Sequence, residues 1–221
     1  MTAVTFQLLF GGSTPPARAA YVTNSGLVLT GLTNTNTFSI DCGNGGDVVT
    51  LLGASGTGGI TFSTVTIGGV SATVNVQVST GGSNVPCGIA SARGCPSGVQ
   101  NVVVTLSGNA ASWVCHTLNM TGVGSITPTA TGSDSHAIGG ESSTLSNPAN
   151  GCTVAVGMCT NGGAPTVWTG LTKDADVGAT TFQVPGAHQN FITANAALAW
   201  TITYGGSNNQ TAGCWASWGT T

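Results

Sequence analysis

Residues 63–74, STVTIGGVSATV, predict the fold more directly than any other part of the chain. Two runs of β-branched residues flank Gly68 and Gly69, and such runs favour β-strands. Glycine tolerates the positive φ angles of a tight two-residue turn because it has no Cβ atom. The stretch therefore predicts a β-hairpin.

The pattern of this hairpin recurs along the chain as apolar runs of strand length, separated by Gly, Asn, Ser and Pro clusters. The runs are AVTFQLLF (3–10), SGLVLTGL (25–32), TFSIDC (37–42), DVVTLLG (47–53), ITFSTVTI (60–67), VSATVNVQV (70–78), VQNVVVTLS (99–107), ASWVCHTLNM (111–120), CTVAVGMCT (152–160) and ALAWTITYG (197–205). No window keeps a 3.6-residue apolar period, so helix is not expected. We predict an all-β fold, a jelly-roll-like β-sandwich, with an immunoglobulin-like sandwich as the alternative.

The domain organisation is predicted to be simple. No linker divides the chain, so residues 1–221 are expected to form a single β-sandwich domain. Residues 1–24 are interpreted as an extended N-terminal arm or a first strand. Their apolar run is short and no basic residue precedes it, which favours a strand over a cleaved signal peptide.

The charge of the chain excludes several kinds of partner. Charged residues make up 4% of the sequence, against about 25% in an ordinary soluble domain. The basic residues are Arg18, Arg93 and Lys173 alone. Nucleic acids and anionic membrane surfaces need clustered basic side chains, so neither is an expected partner. Sheet edges are usually guarded by lysine, proline or charge, and this chain has one lysine. Its edges are therefore expected to be covered by its own loops or by neighbouring subunits.

The cysteine count is odd, so complete internal pairing is impossible. Cysteine in a strand-like run often acts as a small buried hydrophobe, and the best candidates for this are Cys42 and Cys115. Five lie near turn-like residues, where accessible sulfurs are expected: Cys87, Cys95, Cys152, Cys159 and Cys214. All seven are candidates for disulfides.

The pair Cys87 and Cys95 has three interpretations: a metal hook, a local disulfide, or two links to other subunits. Structural zinc sites favour the C-x₂₋₄-C spacing, and the spacing here is longer. The odd count, the lack of an export signal and the low charge favour links between subunits, with a local disulfide as the alternative.

Groups that could carry catalysis or bind metal are few. Asp134, His136 and Glu141 lie close together in GSDSHAIGGE (132–141), which could hold a metal or an acid–base pair, although a Gly/Ser-rich segment favours a solvated loop. Asp174 and Asp176 match part of a calcium loop but lack its closing glutamate, so they are weak calcium candidates. The sequence contains no G-x-S-x-G motif, no H-E-x-x-H motif and no phosphate-binding glycine loop. We predict a protein that is not an enzyme and has no cofactor.

Two tryptophans near the end of the chain are candidate contact residues. Trp215 and Trp218 are three positions apart, so a strand would place them on opposite faces. One is expected to pack inward, and the other to meet a partner subunit or stack on a sugar.

The order of several stretches resembles a known group of proteins. The stretches are TFSIDCGNGGDVVTLLGAS, STVTIGGVSATV, VVVTLSG, GLTKDADV and WASWGT. They are similar to β-rich structural proteins of tailed phages and prophages of α-proteobacteria, over most of the chain after residue 25.

This resemblance implies a structural virion protein, either a capsid decoration (cement) subunit or a neck-collar sheath subunit. It implies a homo-oligomer that contacts other capsid or neck proteins, is assembled in the host cytoplasm and is extracellular after lysis. We expect oligomeric packing and inter-subunit disulfides to stabilise the particle. The alternative is a carbohydrate- or receptor-binding module of a tail fibre or surface protein.

Overall fold

The structure is a computed structural model that describes residues 15–56, 59–79, 85–136, 140–160, 163–179, 182–191, 193–205 and 210–220. All seven cysteines lie within these ranges. The predicted first strand at 3–10 lies outside the described residues.

The described residues form strands joined by turns and irregular segments. The strands are β1 (Arg18–Asn24), β2 (Val28–Asp41), β3 (Gly46–Gly56), β4 (Phe62–Ile67), β5 (Val70–Ser79), β6 (Pro86–Cys95), β7 (Val99–Thr121), β8 (Ala130–His136), β9 (Glu141–Asn147), β10 (Cys152–Thr160), β11 (Gly163–Thr169), β12 (Thr172–Ala179), β13 (Phe182–Asn190), β14 (Asn195–Gly205) and β15 (Thr211–Trp218). The prediction of an all-β fold is confirmed. A search of the described residues finds no helix that could cross a membrane.

The hairpin predicted at residues 63–74 is present as β4 and β5. The two strands pair antiparallel, with Ile67 opposite Val70. Gly68 and Gly69 have φ angles of +58° and +83°. Positive φ at both turn positions is what a type I′ turn requires, and this turn matches the twist of the flanking strands.

The hairpin forms part of a closed barrel. Five strands pair in a ring in the order β7, β3, β6, β5 and β4, and β4 pairs with β7 again. β1 and β2 also pair with β7, which makes a seven-stranded barrel sheet. Successive side chains of β3 point to opposite faces. Val48 and Leu52 join the core of the barrel, whereas Val49 and Leu51 join the core outside it.

The long strand β7 makes the ring possible. Its 23 residues include both of the runs predicted as separate strands at 99–107 and 111–120. The first half pairs with β4 and the second half with β3. The turn-like Gly108 between the runs therefore marks a change of partner, and the strand continues through it.

The remaining strands form two further layers. A five-stranded sheet, β12-β13-β10-β15-β8, packs one face on the barrel and the other on a three-stranded sheet, β11-β14-β9. Every residue of β10 and β15 is buried. Burial on both faces explains the nearly continuous apolar run CTVAVGMCT, because neither face needs polar residues.

The finer predictions are not confirmed. Neither a jelly-roll-like nor an immunoglobulin-like sandwich is established, since β7 closes a ring of strands where a sandwich would keep two open sheets. Within the predicted arm at 1–24, Arg18–Asn24 is a strand paired with β7. That residues 1–221 form a single domain stays a prediction.

Candidate functional site

The structure places the leading cysteine pair, Cys87 and Cys95, inside the protein. Their side chains are 0% and 5% exposed, so the expected accessibility of these sulfurs is wrong. They lie on β6, a wall strand of the barrel between β3 and β5. Gly88, next to Cys87 on β6, leaves room for the ring of Phe62, since a Cβ atom at Gly88 would lie 2.9 Å from a ring carbon of Phe62.

The other cysteines are buried too, and none of the seven forms a disulfide in this structure. Burial raises the pKa of Cys95 to about 11 and that of Cys152 to about 12. The predicted burial of Cys42 and Cys115 is confirmed. Buried thiols at physiological pH carry almost no thiolate, so they are poor nucleophiles and poor partners for exchange. Inter-subunit disulfides therefore find no support in the packing of this chain.

One pair of thiols is in contact. The thiol of Cys87 donates to the sulfur of Cys214 over 3.6 Å, and the thiol of Cys214 donates to the carbonyl oxygen of Cys87 over 3.4 Å. Burial, followed by the hydrogen bond with Cys214, raises the pKa of Cys87 well above its ordinary value. Sequence spacing does not reveal this pair, because it forms between strands of different sheets.

Trp215 and Trp218 point to opposite faces of β15, as their spacing predicts. Both are buried, at 4% and 0% exposure. Neither ring can therefore contact a partner or a sugar in this structure, which corrects the expectation for one of them. Trp215 packs edge-on against Trp200 with ring centroids 4.9 Å apart. The indole nitrogen of Trp218 donates to the carbonyl oxygen of Ile126 over 2.8 Å. Trp215 packs in the core shared with the three-stranded sheet, and Trp218 packs in the core shared with the barrel.

Asp174 and Asp176 do not form a calcium loop. They lie on β12, and Asp174 is the extra residue of a β-bulge against β13. The carboxylate of Asp174 lies 2.6 Å from Nδ1 of His188, and that of Asp176 lies 3.5 Å from Nζ of Lys173. Calcium prefers six to eight oxygen ligands. These carboxylates face nitrogen bases instead, so the weak calcium prediction finds no support.

Asp134, His136 and Glu141 come together, and we call them the carboxylate–histidine cluster. Nε2 of His136 lies 3.0 Å from Oδ2 of Asp134 and 3.5 Å from Oε2 of Glu141. Their ligand atoms all lie within 4.8 Å of one another. The expected loop is wrong for these residues, because Asp134 and His136 belong to β8 and Glu141 begins β9. The expected solvation holds for Asp134 and His136 but not for Glu141.

The carboxylate–histidine cluster is half open to solvent. The side chains of Asp134 and His136 are 41% and 45% exposed, whereas that of Glu141 is 0% exposed. Burial raises the pKa of Glu141, while the Thr211 hydroxyl and His136 lower it. The Thr211 hydroxyl does not reach hydrogen-bond geometry, and among the described residues neither Glu141 oxygen has a hydrogen-bond partner.

A surface feature that the sequence did not locate is the outer edge of β2. This 14-residue strand pairs with β7 and, among the described residues, with no other strand. Leu29 and Leu32 on it are 71% and 64% exposed. The sequence predicted unguarded edges in general, but which strand lies at an edge depends on the pairing of the whole sheet.

An open pocket of about 190 Å³ lies near the end of the chain. It is lined by Gly124, Ser125, Thr127, Thr129, Gly219 and Thr220. These residues offer only hydroxyl and backbone groups, so the lining contains no carboxylate, imidazole, amine or thiol.

Comparison of this chain with protein-family models, with curated proteins and with solved structures finds no match.

Proposed function

We propose that this protein is a homo-oligomeric structural subunit of a tailed-phage particle, a capsid decoration or neck-collar sheath protein. The observation that carries the proposal is the unguarded outer edge of β2. The resemblance to β-rich virion proteins supplies the class of particle, and the edge supplies a physical means of assembly.

The composition of β2 leaves its backbone available for pairing. Its sequence, VLTGLTNTNTFSID, contains one charged residue, Asp41, at the very end. It has no lysine and no proline, which are the usual guards of an edge strand. From Asn36 to Asp41 the strand is regular and pairs residue by residue with β7. A second strand can add to such an edge through main-chain hydrogen bonds.

The edge of β1 shows what protection looks like in the same sheet. The side-chain amide of Asn190 accepts from the backbone nitrogen of Ala19 over 2.8 Å and donates to its carbonyl oxygen over 3.0 Å. Asn190 thus occupies the position that a partner strand would take. Along the regular part of β2, the Thr117 hydroxyl donates to the carbonyl oxygen of Asp41 over 2.7 Å at its last residue. No side chain of the described residues makes a donor-and-acceptor pair of bonds like that of Asn190 with residues 36–40.

Exposed aliphatic side chains lie near both ends of this edge. Leu29 and Leu32 lie at the start of β2, and Val99, 66% exposed, is paired with Asp41 at the other end. Isolated exposed aliphatic residues are ordinary. Their position beside an unguarded edge supports burial against a neighbouring subunit.

A second copy of this chain is the partner that fits best. Two β2 edges can pair antiparallel about a two-fold axis, so one surface serves both subunits. With few charges and a formal net charge of −3, two copies repel each other weakly. Main-chain hydrogen bonds and apolar contacts would hold the assembly, without the disulfides expected from the sequence. We also propose that the packing of the five-stranded sheet on the barrel gives the chain a sandwich-like part.

Light scattering coupled to size exclusion tests the assembly. The double variant T37K/S39K adds lysines at two exposed positions of the regular edge. We expect the wild-type chain to be an oligomer, with or without reductant, and the variant to be monomeric. The control is T64K, an exposed position on β4, which has strand partners on both sides. A monomeric wild-type chain, or an oligomer that T37K/S39K leaves intact, contradicts this mode of assembly.

The particle assignment needs its own test. Antibody labelling of purified phage particles in the electron microscope is expected to mark the capsid surface or the neck. Label confined to the tail fibres favours the receptor-binding alternative, and particles that lack the chain contradict the virion role.

A further inference from the structure

We propose that the carboxylate–histidine cluster, Asp134, His136 and Glu141, binds a divalent transition-metal ion, with Zn²⁺ as the best match. The ion would join the end of β8 in the five-stranded sheet to the start of β9 in the three-stranded sheet. This site is independent of the assembly edge on β2.

The spacing of the donor atoms fits a metal ion. Zinc binds imidazole nitrogen and carboxylate oxygen at about 2.0–2.2 Å, which places neighbouring ligand atoms about 3.4 Å apart in a tetrahedron. The observed separations from Nε2 of His136 are 3.0 Å to Asp134 and 3.5 Å to Glu141. Small movements of exposed side chains suffice to place all three atoms around one ion.

The backbone holds the three donors on facing surfaces. Asp134 and His136 are two residues apart on β8, so both side chains lie on one face of the five-stranded sheet. Glu141 belongs to the sheet packed against that face, and its side chain passes over Gly213. A Cβ atom at Gly213 would lie 3.0 Å from Cγ of Glu141, so the glycine leaves room for the glutamate.

The buried end of the cluster is the independent sign of a ligand. The Glu141 side chain is 0% exposed, and among the described residues its two oxygens lack hydrogen-bond partners. A buried carboxylate without a hydrogen bond is costly. It faces His136 and Asp134 rather than a lysine or arginine, and a bound cation supplies the missing charge.

The ligand types select the class of ion. Imidazole suits zinc and other late transition metals, whereas calcium and magnesium prefer oxygen alone. Three protein ligands leave a further position, and the exposure of Asp134 and His136 gives water access to it. The competing explanation is that Nε2 of His136 bridges the two carboxylates directly, with no metal.

Isothermal titration of the full-length, chelator-treated protein with Zn²⁺ at neutral pH tests the site. We expect one ion per chain, and a loss of affinity of about a hundredfold or more in H136A and in E141Q. E141Q keeps the shape of the side chain and removes the buried charge, so it preserves the fold. The matched control H188A removes another histidine that contacts a carboxylate, and its affinity should equal that of the wild type.

Co²⁺ provides a second measurement that separates this cluster from the cysteines. Visible d–d bands without the charge-transfer band of a cobalt–thiolate bond are expected, and E141Q should lose them. No Zn²⁺ binding by the wild type overturns the proposal in favour of the histidine-bridged arrangement. Binding that E141Q and H136A retain, or a thiolate band, overturns it in favour of another site.

Discussion

The sulfur of Cys87 lies 3.6 Å from the sulfur of Cys214. The two residues are 127 positions apart in the sequence. Cys87 is on β6 of the barrel, and Cys214 is on β15 of the five-stranded sheet. A disulfide needs about 2.05 Å between its sulfurs, so this contact is a hydrogen bond between thiols. It lies in the apolar core where the two sheets meet.

The cysteines are expected to be unreactive in the folded protein. Burial keeps them protonated and away from solvent, so labelling by an aromatic disulfide reagent at pH 8 should be slow. In denaturant, all seven thiols in the sequence should react. The variant T64C, with its new thiol at an exposed position of β4 away from the β2 edge, should add one rapidly reacting group. Rapid native labelling of Cys87 or Cys95 would show that these sulfurs are accessible.

Substitution of Gly132 by a residue with a side chain is expected to destabilise the protein. It lies opposite Trp215 in the pairing of β15 with β8. A Cβ atom there would meet the indole ring, with ring carbon Cε2 at 2.5 Å. G132A should therefore lower the free energy of unfolding by about 1–3 kcal/mol, because the ring must leave its packed position. Urea denaturation measures this loss.

The control for G132A is G31A. A Cβ atom at Gly31 on β2 meets nothing within 4 Å. This variant should be as stable as the wild type or slightly more stable, since alanine restricts the unfolded chain. Equal losses in both variants would show that contact with Trp215 is not the cause.

The turn at Gly69 is expected to depend on backbone conformation alone. A Cβ atom at Gly69 meets nothing within 4 Å, but its φ angle is +83°. G69A should cost about 1–2 kcal/mol, because alanine disfavours this left-handed region. G69N should cost less, since asparagine visits positive φ more readily. If thermal unfolding shows equal losses for the two variants, side-chain contacts rather than φ control this turn.

His116 is expected to make stability depend on pH. Burial lowers its pKa from 6.5 to about 4, while a hydrogen bond to the Val184 carbonyl and the charge of Asp176 act in the opposite direction. Nδ1 of His116 is buried with no partner among the described residues, so a proton there would have no acceptor. The unfolded chain therefore binds this proton more readily than the folded chain.

The direction of the pH dependence follows from this difference in proton binding between the folded and the unfolded chain. The contribution of neutral His116 to the free energy of unfolding should be complete above pH 6.5. It should be lost as the pH drops from 6.5 to about 4. The contribution of His116 over this range is about 3 kcal/mol. H116Q should lose less stability than the wild type between pH 7 and pH 4.5 in urea denaturation. Parallel curves for the two proteins would exclude His116 as the cause.

Part of the carboxylate–histidine cluster was visible in the sequence. Asp134, His136 and Glu141 form a candidate group in the sequence, because they are close together in the chain. Their burial was not visible, since it depends on the three-stranded sheet that covers Glu141. The same limit applied to Trp215 and Trp218. Their spacing predicted opposite faces correctly, but the layers that bury both faces lie far away in the sequence.

Short-range interactions along the chain are sufficient to specify the local structure of this protein. β-branched runs and glycine pairs specify strands and tight turns through short-range sterics, and Gly68-Gly69 is the clearest case. Which strands pair, which edge stays open and which thiols are in contact depend on the complete fold. Pairing depends on contacts between distant segments, such as β7 with β4 and then β3. A local pattern therefore predicts a strand, whereas only the closed barrel and its two further layers decide what each strand buries and what it exposes.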